Sequence, residues 1–370
     1  MRMETVHKGH YDGALFVVIL ALLITSVVMV YSSSSVVALT SYNDSAFFAK
    51  RQLSWAVGGL LLMAFTMRMD HRRLGEQRTV IALLVVSLLL LVATLAPGIG
   101  RTVNGSRRWL RLGMLSFQPS ELVKVTLVAY LSYVIAKKGE RIRDFMNGIV
   151  PVYVVAGLFM ALAVLQPDFG TTMTIACLVG VMLFAGGANL LHLAGTVLAG
   201  LPFVYFAVFH KAYRARRIFA FLDPWADPHG SGHQIIQSFL AFGSGGIFGR
   251  GLGEGRQKLL FLPERHSDFI YAVSGEELGL IGALAVLALF LILLWRGIRI
   301  ALLAGERFSR MLALGITFLI CIQAFINMAV VTGLLPTKGI ALPLVSYGGS
   351  SLVFTMGALG VLLNISKETA

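Results

Sequence analysis

Residues 14–37 read Ala-Leu-Phe-Val-Val-Ile-Leu-Ala-Leu-Leu-Ile-Thr-Ser-Val-Val-Met-Val-Tyr-Ser-Ser-Ser-Ser-Val-Val, 24 residues without a formal charge. At about 1.5 Å of rise per residue, a helix of this length exceeds the roughly 30 Å of bilayer hydrocarbon. The stretch therefore reads as a membrane-spanning helix. It is too long for a signal-peptide core, and nine further apolar runs follow it, so it is expected to be retained. Those runs are 52–67, 80–96, 121–136, 149–165, 170–187, 190–209, 269–295, 311–332 and 344–365. The expected fold is an all-α integral membrane protein, one polytopic domain over 1–370 built as a bundle of about ten transmembrane helices. A long loop, 210–268, separates the seventh and eighth spans.

Composition excludes a water-soluble chain. Hydrophobic residues make up 57% and charged residues 13%, with a mean hydropathy of +0.80. A soluble domain averages about 25% charged residues. The two cysteines, Cys177 and Cys321, lie inside apolar runs and exclude a disulfide framework.

The net charge of +13 has to reside in the connections. Ten spans place both termini on one side, taken as the cytoplasm. That side then holds Arg68, Arg72, Arg73, Arg78, Lys137, Lys138, Arg141, Arg143, Arg296, Arg299, Arg307 and Arg310. The full tally is 15 basic residues inside and 15 outside, but 8 of the outer ones belong to the long loop. Long loops weigh little in the positive-inside rule, and the remaining 15 to 7 supports this orientation over the inverted one. The outer excess points to something anionic bound on the translocated side.

Several outer segments carry candidate chemistry. Arg214, Arg216 and Arg217 suit bidentate phosphate binding, or face headgroups from an interfacial helix. The Asp223-Pro and Asp227-Pro pairs read as turn punctuation. Gly243–Gly255 holds seven glycines in 13 residues, which would form either an anion-binding backbone nest or a closely packed flexible loop. Beyond Lys258 the loop closes on Glu264, Arg265, His266 and Asp268 at the membrane boundary. Asp268 could cap the following helix, or act as a general base in a partly dehydrated setting. Glu276 and Glu277, deeper in that span, read as structural partners.

The connection from the third to the fourth span interleaves Arg101, Arg107, Arg108 and Arg111 with Trp109 and leucines, as an interfacial segment would. Glu121 and Lys124 share a helical face and read as an ion pair near the outer surface. Asp168 is either a helix cap or a site carboxylate. The segment 335–350, with Lys338, Ser346, two prolines and three glycines, reads as re-entrant.

Together the motifs Asn104-Gly-Ser-Arg-Arg-Trp-Leu110, Phe117-Gln-Pro-Ser-Glu-Leu-Val-Lys124, Leu222-Asp-Pro-Trp225, Leu262-Pro-Glu-Arg-His-Ser-Asp268-Phe-Ile270 and Leu342-Pro-Leu-Val-Ser-Tyr-Gly-Gly-Ser350 resemble the SEDS family (shape, elongation, division and sporulation). The likeness runs from the first span to the last and is nearer the division branch than the elongation branch. Ser267 stands where threonine is common in the motif. The resemblance implies a peptidoglycan glycosyltransferase that polymerises lipid II at the outer face of the bacterial cytoplasmic membrane. It also implies a class B penicillin-binding transpeptidase as partner, a divalent cation (Mg2+ or Mn2+), and neither nucleotide nor nucleic acid. The family's essential carboxylate falls on Asp268, which favours the general base over the helix cap. Arg107, Arg108, Arg111, Arg217, Lys258, Arg265 and Lys338 would then surround the substrate diphosphate, with Glu121, Lys124, Asp168, Glu264, His266 and Ser346 as further substrate-contact candidates. Membrane lipids would cover the spans. A lipid II flippase, an elongation-type polymerase and a docking scaffold are the rival readings.

Overall fold

The computed structural model describes residues 9–96, 98–103, 106–112, 115–210, 212–257, 263 and 265–368. The side chains of 101–103, 111–112, 115, 204, 207–208 and 212–213 fall outside the description. Among the described residues, ten long helices correspond one for one to the ten apolar runs. They are α1 (Gly13–Tyr42), α2 (Phe47–Thr66), α3 (Gln77–Leu95), α4 (Pro119–Lys138), α5 (Val150–Leu165), α6 (Phe169–Ala185), α7 (Leu190–Phe209), α10 (Ile270–Leu303), α11 (Arg307–Val331) and α12 (Gly349–Ser366). Among the described residues, seven helical stretches are long and apolar enough to cross a membrane by themselves; α6 and α7 are shorter apolar helices. The loop between α7 and α10 adds two short helices, α8 (Ala212–Leu222) and α9 (His233–Gly245).

Capping chemistry sets several boundaries. Asp12 caps α1 by accepting from Leu15 N at 2.9 Å, Pro119 opens α4 where a missing N–H costs nothing, and Asp168 caps α6. In the long loop Asp223 and Asp227 accept from Trp225 N and Ser231 N, at 3.1 and 2.8 Å, as turn punctuation should. Helices α4 and α11 are the most enclosed. They meet at Gly315, where an added Cβ would lie 2.7 Å from Val128 Cγ1.

One segment departs from the all-α expectation. Residues 100–117 form a three-stranded antiparallel sheet, β1 (Gly100–Val103), β2 (Ser106–Leu112) and β3 (Leu115–Phe117). The pairs Arg101↔Trp109 and Leu110↔Phe117 set its register. Interfacial arginines and a tryptophan are compatible with helix or strand, whereas Asn104-Gly105 between two short runs is a hairpin signal. The sheet caps the end of the bundle where α3 stops and α4 begins.

The glycine-rich segment combines both of its expected uses. It packs backbone to backbone against a break in α10 at Gly279, whose φ of 68° suits glycine. Leu280 N and Ile281 N donate to the carbonyls of Gly246 and Ile247, at 2.9 and 3.2 Å. Its amides also bind an anion, supplied by the protein. Glu276 Oε1 accepts from Arg256 N at 2.8 Å, and Glu277 Oε2 accepts from Gly253 N at 3.2 Å and Ser32 Oγ at 2.5 Å. The two intramembrane glutamates are therefore structural, as expected, with backbone amides among their partners.

The first and last described segments lie at one end of the bundle. Asp12 N donates to Ser366 Oγ at 2.9 Å, and Asp12 pairs with Arg296. Helices α2 and α12 meet through Gly360, where an added Cβ would lie 2.1 Å from Thr66 Oγ1 and 2.5 Å from Met63 O. Gly360→Val should therefore overpack this contact and cost about 1–3 kcal/mol. Gly58→Ala in α2, which meets nothing within 4 Å, should be neutral or slightly stabilising. Thermal unfolding in detergent compares the two.

Candidate functional site

At the opposite end of the bundle from the termini, the chain between α11 and α12 runs without regular structure from 332 to 348 and turns inward. Ile340, Leu342, Leu344 and Val345 are buried. A non-helical backbone inside a membrane protein needs internal hydrogen-bond partners, and here side chains supply them. Asn327 Nδ2 donates to Ile340 O at 2.7 Å, Ser26 Oγ to Val345 O at 2.9 Å, and Gln52 Nε2 to Ser346 O at 3.3 Å. Ser346 Oγ donates to Ser267 O at 2.5 Å and accepts from Leu342 N at 2.8 Å. Tyr347 N donates to His266 O at 2.9 Å. The re-entrant segment is thus tied to the turn that carries Asp268.

Asp268 lies in that turn, partly exposed, two residues before α10. The cap position of α10 is Phe269, with no side-chain cap bond, so Asp268 does not serve as the helix cap. Asn327 Nδ2 holds its carbonyl at 2.8 Å while also holding Ile340, so one amide fixes Asp268 against the re-entrant segment. A Cβ added at Gly339 would lie 3.2 Å from Asp268 Oδ2. On the other flank, a Cβ at Gly170 would lie 3.2 Å from Gly339 O and 3.7 Å from Asp168 Oδ1. The two aspartates therefore flank one strip of glycine backbone.

Their surroundings differ. Asp168 is buried, accepts from Thr171 N at 3.1 Å and Thr171 Oγ1 at 2.9 Å, and pairs with Arg108 at 3.5 Å. Arg108 lies where the β1–β2 pairing shifts register, between Trp109 opposite Arg101 and Arg107 opposite Thr102. Arg108 is half-buried there, whereas Arg107 is exposed. Arg108 Nε is buried without a hydrogen-bond partner.

More cations gather on the same strip. Lys338 Nζ lies 2.6 Å from Met173 Sδ, and burial, with Arg217 adding to it, holds the ammonium below its ordinary pKa. Arg217 Nη1 donates to Thr337 O at 3.4 Å, and the Arg214 guanidinium sits 3.7 Å above the Phe169 ring. Two of the three α8 arginines thus reach the site from an interfacial helix whose Phe219 and Leu222 are exposed. Arg265 is only 6% exposed; its Nε has no hydrogen-bond partner, and burial lowers its pKa.

The remaining sequence candidates divide. Glu121 and Lys124 pair at 2.9 Å, and Lys124 also donates to Gln323 Oε1 at 2.6 Å, within the α4–α11 contact. His266 packs its ring on Phe48 and Tyr347, with centroids 4.9 and 5.6 Å away. Lys258 and Glu264 lie outside the described residues, as does the Arg111 side chain. Sequence reasoning missed Asn327, Thr171 and Gly339. An isolated asparagine in an apolar run such as 311–332 is the one signal that marked the first of these, since polar side chains in spans need a partner.

Two carboxylates set beside a group of cations, Arg265 buried and Arg108 and Lys338 half-buried, suit a reaction in which a hydroxyl loses a proton and a polyanionic group departs. Removing the shared amide with Asn327→Leu would strand two carbonyls and should cost about 2 kcal/mol or more. Denaturation in detergent, with faster amide exchange confined to 335–346, checks this.

Comparison with known proteins finds relatives along nearly the whole chain. The family model for FtsW, RodA and SpoVE, described as a cell cycle protein, matches residues 13–370. A probable peptidoglycan glycosyltransferase FtsW of Trichlorobacter lovleyi is 50% identical over 358 residues, covering 97% of this chain and 93% of that protein. Stage V sporulation protein E of Bacillus subtilis is 45% identical over 364 residues, covering 98% and 99%. Among solved structures, a chain of a peptidoglycan synthase complex that coordinates polymerization and crosslinking superposes with a TM-score of 0.79 at 32% identity, covering 97% and 98%. The rod shape determining protein RodA of Thermus thermophilus superposes with a TM-score of 0.71 at 28% identity, covering 97% of each chain.

Proposed function

The chain belongs to the FtsW, RodA and SpoVE family of multi-pass membrane proteins, and from that premise we propose that it is a division-type peptidoglycan glycosyltransferase that polymerises lipid II. The observation that carries this reading is the convergence of Asp268, the Gly339 strip and the Arg108–Asp168 pair at the end of the bundle away from the termini. With both termini cytoplasmic, that end faces the outer surface, where lipid II would present its sugars.

In this reading Asp268 accepts the proton of the acceptor sugar 4-hydroxyl. The oxygen attacks the donor anomeric carbon from the face opposite the leaving group, so the configuration inverts. The undecaprenyl diphosphate departs with two linked phosphates, whose charge Arg108, Lys338, Arg217 and Arg265 would receive. Asp168, already tied to Thr171 and Arg108, positions that guanidinium. The bond broken is the one between the donor anomeric carbon and the diphosphate, and this activated sugar–phosphate linkage supplies the driving force, so no nucleotide is required.

The described residues hold no group of three or more His, Cys, Asp or Glu side chains suited to a metal ion. A magnesium or manganese ion commonly binds through one or two carboxylates plus substrate phosphates. Asp268 together with the diphosphate fits that pattern, and such an ion would help neutralise the leaving group. A class B penicillin-binding transpeptidase is the proposed partner.

A flippase would need titratable groups along a path between the leaflets. Glu121, Lys124, Glu276 and Glu277 are instead engaged in fixed internal bonds, which favours the polymerase. Purified protein with its partner, given lipid II, should form glycan chains, and Asp268→Ala should slow synthesis by about 10²–10⁴-fold without lowering the unfolding temperature. Synthesis at the parental rate by that folded variant rejects Asp268 as base, and lipid II translocation without polymer favours the flippase. If a divalent ion takes part, a chelator should stop synthesis and added Mg2+ or Mn2+ should restore it.

A further inference from the structure

The end of the bundle opposite Asp268 holds a second basic site. The last turn of α4 and the turn after it wall a cavity of about 400 Å³, lined by Tyr133, Val134, Lys137, Lys138 and Arg141. That volume lies within the roughly 300–1,000 Å³ usual for small-ligand pockets.

Its three cations have no ion-pair partner among the described residues. Lys138 is a buttress, with Nζ donating to the carbonyls of Gly148 at 3.1 Å and of Asn147. Lys137 Nζ donates to Tyr133 Oη at 2.7 Å and Gln77 Oε1 at 3.2 Å, neutral groups that orient the ammonium without cancelling its charge. Arg141 is exposed. Of the neighbouring acids, Glu140 pairs with Arg143 at 3.4 Å, while Asp144 accepts from Asn147 N at 2.8 Å and acts electrostatically on Lys138 without forming an ion pair with it. Gln77 opens α3, whose N-terminus has no side-chain cap and so adds partial positive charge beside Lys137. Arg307 joins the cluster, donating to Gly186 O at 3.2 Å.

We propose that this cavity binds the phosphate headgroup of an anionic phospholipid. Like charges held together in a low-dielectric rim repel one another, and a phosphate relieves that repulsion. Lys137 supplies a point charge and Arg141 a bidentate fork. Tyr133 sits at the end of a membrane span, the level at which interfacial aromatics meet headgroups. The lipid source follows from α3: Ile81, Val85 and Leu89 form an exposed apolar stripe that begins one turn beyond Gln77 and gives an acyl chain a track. Basic pockets between spans on the cytoplasmic side take anionic headgroups in this way.

The test uses the full-length protein, delipidated in detergent and titrated by native mass spectrometry with dioleoylphosphatidylglycerol, dioleoylphosphatidylcholine or inorganic phosphate. The parent should bind phosphatidylglycerol severalfold tighter than phosphatidylcholine. Lys137→Gln and Arg141→Gln should each weaken phosphatidylglycerol binding about fivefold, while Lys50→Gln, exposed near the other end, should not. Melting curves without lipid establish that each variant folds, and Arg141→Gln carries the test if Lys137→Gln does not fold. Equal affinity for the two lipids, or undiminished phosphatidylglycerol binding by folded Arg141→Gln, overturns the proposal. Inorganic phosphate that displaces phosphatidylglycerol at equal concentration also overturns it, assigning a free-phosphate site.

Discussion

A backbone that leaves the helix inside a membrane bundle has no water to satisfy it. The segment between α11 and α12 is such a backbone, and the rest of the site depends on how it is held. Asn327, Ser26, Gln52 and Ser346 satisfy its carbonyls and amides. In doing so they bind four separate elements to one another. Because Asn327 also holds the carbonyl of Asp268, the same hydrogen bonds that make the segment tolerable place the proposed base. Chemistry and structural accommodation use one set of contacts.

The long loop shows the same economy. Two glutamates in a span would be costly as free charges. They are instead the anions around which the glycine-rich segment folds, and that segment docks onto the break at Gly279. The loop that precedes Asp268 is thereby clamped to the helix that follows it. Arginines then approach from β2 and from α8, so the positive charge over the site comes from segments far apart in sequence.

Much of this was legible beforehand. Apolar run length alone located all ten long helices, because a bilayer demands a fixed helix length whatever the packing. The sheet at 100–117 was not read, because arginines beside a tryptophan describe an interface and not a backbone conformation. The turn signal at Asn104-Gly105 was the missed cue.

By itself, the sequence determined the membrane class, the number of long helices and the family likeness. Local composition controls each of these. Only the tertiary structure decided that Arg108 and not Arg107 meets Asp168, that Glu276 and Glu277 bind backbone amides, and that Asn327 joins Asp268 to Ile340. Those outcomes depend on strand register and on which helices pack together, and contacts between residues tens to hundreds of positions apart leave no local trace.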